Sequence, residues 1–107
     1  VVEALSRAVR GRRVVVFMYD GLLRTVEPHA LGLSSAGDTL LSGYQTAGFS
    51  HSSEQPGWRL YRLDRMQSLA VTPYTFAGRR PGFNPQHPLL ATVLAMVPEE
   101  EGLLTGP

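Results

Sequence analysis

Arg59, Arg62 and Arg65 recur at every third residue and are interleaved with Trp58 and Tyr61. A guanidinium offers a planar fork of donors that matches phosphate or carboxylate oxygens, and an aromatic face stacks on a nucleobase. The spacing therefore suits an anion site, provided the backbone bends near Leu63-Asp64 so that side chains of opposite strand faces meet. The same residues read equally well as a solvated face whose arginines pair with Asp64 or Glu27. Arg12-Arg13 and Arg79-Arg80 are expected to be ordinary flanking charges.

Other chemistry is thinly represented. His29, His51 and His87 are far apart and lack the paired spacing of a metal site, and cysteine is absent, so neither metal ligation nor a disulfide framework is expected. Ser50 beside His51 has sequence adjacency but not the geometry of a nucleophile and its base. No nucleophile elbow, P-loop or dinucleotide fingerprint occurs. The sequence reads as a non-enzyme without cofactors.

All ten basic residues are arginine, yet nine acidic residues bring the net charge to +1. A polycation that holds nucleic acid by bulk charge is thereby excluded, and any anion site must be a local cluster. The first ten residues include Glu3, Arg7 and Arg10, so no secretory leader is read there, and Pro81 to Pro98 is too interrupted to span a membrane. A cytoplasmic location is expected.

The elements that must position these groups are short. Val2, Leu5 and Val9 lie at helical spacing, with Glu3 early and Arg7 and Arg10 late, and Gly11 is a natural stop. Arg13 to Tyr19 is β-branched and aromatic and ends at Asp20-Gly21, a hairpin signal. Leu23 to Leu33 continues extended, with Pro28 as a bulge or edge residue. Thr39 to Tyr44, Trp58 to Leu63 and Met66 to Thr72 complete five strands, and Gln45 to Gly57 is read as a polar loop. Phe17, Leu41, Leu60 and Leu63 are the expected core. Phe76 to Phe83 reads as an irregular linker. Leu89, Leu90, Val93, Leu94 and Val97 form an apolar stripe of a helix opened by Pro88. That stripe either docks on the barrel or pairs with a second copy, and a homodimer is the favoured assembly.

Val14 to Tyr19 before Asp20-Gly21, Arg24-Thr25-Val26-Glu27-Pro28, Gly43-Tyr44-Gln45 and Gly57 to Met66 together resemble the WYL domain, as does Arg80 to Pro85. The most distinctive run is the strand and turn ending in Leu63-Asp64-Arg65-Met66. One departure stands out: Thr39-Leu40-Leu41 occupies the place of the Trp-Tyr-Leu that names the family. The resemblance implies a mainly β fold, a five-stranded Sm/SH3-like bent barrel with an N-terminal helix and a short C-terminal helix. It places the domain at 1–85 and a helix and tail at 86–107. It implies a regulatory ligand sensor that binds single-stranded nucleic acid or a nucleotide through Tyr19, Arg24, His29, Tyr44, Arg59, Arg62 and Arg65. The alternative is a protein-interaction adaptor or an oligomerisation domain of a transcriptional regulator.

Overall fold

The first helix, α1 (Val2–Arg10), buries Leu5, Ala8 and Val9 and turns its charged positions outward. Glu3 lies in its first turn and Arg7 and Arg10 in its last, as the helix dipole favours. The helix stops at Gly11 as expected, although Gly11 keeps an ordinary φ of −90° and the left-handed residue is Arg12, with φ 54°. Tertiary bonds hold Arg12 there. Its carbonyl accepts from the Phe76 N–H at 2.9 Å, and its guanidinium donates to the Ala77 carbonyl at 3.0 Å. The computed structural model describes residues 1–48 and 56–99.

Strands β1 (Arg13–Tyr19) and β2 (Leu22–Leu33) form the expected hairpin, with Tyr19 opposite Leu22. Asp20 and Gly21 both adopt positive φ, 53° and 77°, the two-residue turn whose twist matches the strands. β3 (Thr39–Gly48) pairs with β2 across register shifts, one of them between Pro28 and Ala30 where proline withholds an amide. β3 continues to Gly48, so Gln45 to Gly48 is strand and not loop; Ser50 and His51 lie outside the described residues. β4 (Gly57–Arg62) leads through a 3-10 turn, Leu63–Arg65, into β5 (Met66–Thr75).

The described strands number six, in the order β4-β3-β2-β1-β5 with β6 (Thr92–Met96) paired to β2. The expected C-terminal helix is therefore a strand. β1 reaches along β2 only as far as Val26, which leaves the Ala30–Leu33 edge open, and β6 covers it. The apolar stripe divides accordingly. Leu90 and Val97 are buried, whereas Leu89, Val93 and Leu94 face solvent.

The result is a mainly β, bent barrel with an N-terminal helix packed on it. Its interior holds Leu5, Val9, Val15, Phe17, Val26, Leu31, Leu41 and Tyr61. Phe17 and Leu41 are buried as expected. On β4, however, the inward residue is Tyr61, while Leu60 is half-buried against a smaller cluster of Ala30, Leu40 and Leu90. Leu63 is likewise only half-buried. Tyr61 lies edge-on to both Phe17 and Tyr19, each pair with centroids 5.0 Å apart.

Candidate functional site

Residues directly opposite each other in an antiparallel pair share a sheet face. Arg24 lies opposite Phe17, and Gln45 lies opposite Val26, so both polar residues point inward with the core. Glu27 lies opposite Tyr44, and Tyr44 opposite Trp58, on the outer face. The strand pairing thus separates the expected site residues into two groups.

The inner group centres on Tyr19 at one end of the barrel. Its hydroxyl accepts from the Arg62 amide at 3.1 Å, joining the end of β1 to the end of β4. The buried Arg24 guanidinium stands 6.0 Å from the Tyr19 ring centre, and that of Arg65 stands 5.2 Å away. Arg24 donates to the Gln45 side-chain oxygen at 3.2 Å and to the Tyr19 carbonyl at 3.4 Å. The same Gln45 oxygen accepts from the Tyr61 hydroxyl at 2.7 Å. Gln45 was not among the expected site residues, although its place beside Tyr44 in a β-strand would have turned it inward.

The 3-10 turn supplies the bend that the arginine spacing required. It brings Arg62 and Arg65 to the Tyr19 end of the barrel, and each carries an aspartate. Arg65 pairs with Asp20, and Arg62 with Asp64 at 2.9 Å and Asp38 at 3.3 Å. The hydrogen bond from Arg62 holds the Asp64 carboxyl below its ordinary range. All five of these side chains are between 42% and 63% exposed. Ion pairs this open to solvent are weak, so these counter-ions are easily exchanged.

Tyr44 and His29 belong to the outer group, beneath a strap formed by residues 76–83. His29 is fully buried among Trp58, Phe76 and Phe83, with ring centroids 4.8 to 5.3 Å away. Its Nδ1 lies 2.9 Å from the Glu27 carbonyl, and its Nε2 lies 3.1 Å from the Arg80 amide. The carbonyl is an acceptor and the amide a donor, so the ring is neutral with its proton on Nδ1. Burial pushes its pKa below 6.5. His29 therefore anchors the strap.

Arg79 and Arg80 are anchors too, not flanking charges. Arg80 grips Glu27 through two hydrogen bonds, 2.6 and 3.2 Å, and lies 4.1 Å over the Tyr44 ring. Arg79 donates to the Val97 carbonyl at 3.2 Å. Glu27 lies opposite Tyr44 and is almost fully buried, and Arg80 is the cation that covers it there. Arg59 stands apart from the Tyr19 group, opposite Gly43 on β4, with its guanidinium on the Trp58 carbonyl at 2.9 Å.

Among the described residues no group of three His, Asp or Glu side chains is placed to hold a metal, and no helix is long and apolar enough to cross a membrane. A family model described as the WYL domain matches residues 1–71. That span includes the whole Tyr19 group and ends before the strap. No curated protein and no solved structure matches the chain.

Proposed function

The chain belongs to the WYL domain family, a family of ligand-sensing regulatory domains, and we propose that it acts as a non-catalytic sensor of an anionic ligand. The ligand class is a short single-stranded nucleic acid or a nucleotide, and its site is the Tyr19 end of the barrel. One observation carries the reading: Arg24 and Arg65 flank a single tyrosine ring, Arg62 is bonded to its hydroxyl through the backbone, and the aspartates facing Arg62 and Arg65 are solvent-exposed. A phosphate would take the place of Asp20 on Arg65 or of Asp38 on Arg62. The buried Arg24 supplies fixed positive charge behind them. Tyr44 and His29 are spent on the strap and take no part, and Arg59 lies outside this group.

Titration of a labelled single-stranded oligonucleotide by fluorescence anisotropy tests this. Binding is expected at low salt and weakens steeply as salt rises. Arg65→Ala removes one charge-assisted contact and weakens binding by about tenfold or more. No binding at low salt, or binding indifferent to Arg65→Ala, overturns the reading. A second reading, a protein-interaction surface that includes a homodimer, is favoured by the exposure of Leu89, Val93 and Leu94 on one segment. Association through that surface would persist at high salt, which separates the two.

A further inference from the structure

β5 stands at one end of the sheet order, so among the described residues β1 is its one partner strand and its outer edge is unpaired. Along such an edge every second residue turns its N–H and C=O outward, a template for a further strand. Proteins ordinarily blunt such edges with charge, proline or a bulge. β5 carries no charged side chain in ten residues. Its protections lie toward the ends: the register shift at Ser68, which has a φ of 56°, and Pro73. Leu69 to Thr72 is left bare between them.

Beside this stretch a groove of about 410 Å³ opens between β5 and α1. Ala4, Ala8 and Val71 give it apolar walls, and Arg7 and Arg13 line it as well. Val71 is 44% exposed. The neighbouring arginines are committed, Arg10 to the Leu94 carbonyl and Arg12 to the Ala77 carbonyl. Arg7 and Arg13, by contrast, have no ion pair or side-chain hydrogen bond among the described residues. Two guanidinium groups at one small groove with no acidic residue in its lining favour an anion there.

Edge and groove are connected by register. Val71 lies opposite Val15, on the face that packs against α1. A strand added outside β5 would place the side chain opposite Val71 on that same face, at the groove. Glutamate suits this position, because its methylene stem would lie along the alanines and Val71 while its carboxylate meets the guanidinium groups. We propose that the β5 edge binds an extended acidic peptide segment of a partner protein, as an added strand with a glutamate opposite Val71. Backbone pairing supplies the affinity, and Arg7 and Arg13 the selectivity. The surface shares no residue with the Tyr19 group and is independent of the anion site proposed there.

The probe is a short fluorescein-labelled peptide in which valine, glutamate and valine alternate with threonines, titrated by anisotropy against the intact chain. Saturable binding is expected. The same peptide with glutamine for glutamate should bind about tenfold more weakly, and so should one N-methylated at alternate backbone amides, which cannot add as a strand. Arg7→Gln and Arg13→Gln change exposed side chains, and each should weaken the glutamate peptide several-fold while circular dichroism verifies the fold. Arg65→Ala should leave this binding unchanged. The proposal is overturned by a non-saturating response, by equal binding of the glutamine or N-methylated peptide, or by indifference to both arginine variants. Displacement of the peptide by free glutamate at equal concentration, or by a single-stranded oligonucleotide in the Arg65→Ala protein, would also overturn it. So would a dimer in sedimentation that Ala70→Lys dissolves, which would give the edge to a second copy.

Discussion

His29 donates to the Glu27 carbonyl and accepts from the Arg80 amide, so a second ring proton would face an N–H with nowhere to go. Glu27 and Arg80 both bear on it electrostatically, with opposite signs, and burial prevails in lowering its pKa from 6.5. The unfolded ring therefore takes up a proton at a pH where the folded ring does not. Stability is full above the unfolded value and falls as pH drops from there toward the folded one. The melting temperature is expected to fall between about pH 7.5 and about pH 5.5, and His29→Gln should flatten that slope while lowering stability at neutral pH. A slope identical in His29→Gln would mean that another group carries it. At this scale the sequence was partly legible. The spacing of Arg62 and Arg65 across a turn was readable, and both reach the Tyr19 end of the barrel, whereas Arg59 of the same run stands apart. The role of His29 was not readable, because it depends on Arg80, 51 residues away.

The elements show the same division between local and distant causes. The β1–β2 hairpin was readable from Asp20-Gly21, since the turn conformation is a property of those two residues. Two other elements were decided elsewhere in the chain. β5 does not alternate simply between faces, because its register against β1 shifts between Val16 and Met18, and Ser68 in that interval takes a φ of 56°. β6 has helical apolar spacing, yet the unpaired amides and carbonyls of β2 beyond Val26 recruit it as a strand. Gly32 marks the contact, because a Cβ there would collide with the Thr92 carbonyl. Gly32→Ala is expected to push β6 off β2 and cost about 1–3 kcal/mol in urea unfolding, whereas Ser35→Ala in the exposed β2–β3 turn should change little. A neutral Gly32→Ala would show that β6 contributes little to the fold.

Across the whole molecule, the strap at residues 76–83 ties together elements that the sheet alone leaves loosely joined. Phe76 bonds to Arg12 in the turn between α1 and β1, Arg80 to Glu27 and His29 of β2, Pro81 to Trp58 of β4, and Arg79 to Val97 just past β6. Composition marked this segment as an irregular linker, which is correct for its backbone and silent about its contacts. Its strongest polar tie is Glu27–Arg80, in which the carboxylate is 11% exposed and the guanidinium 39%. Loss of Arg80 leaves Glu27 under the strap without its cation, and uncovers the Tyr44 ring. Arg80→Ala should therefore cost about 1.5–3 kcal/mol, toward the lower end because the arginine side of the pair is partly solvated. Glu27→Gln should cost less, since its amide oxygen still accepts from Arg80, and the double variant should cost less than the sum of the two. Trp58 supplies a local reading of the same event: it stacks on Phe83 at 5.9 Å and donates to Pro81, so release of the strap exposes the indole and shifts its emission to the red. An Arg80→Ala protein with unchanged emission, and with stability within about 0.5 kcal/mol of the parent, would mean that packing of Phe76 and Phe83 alone holds the strap in place.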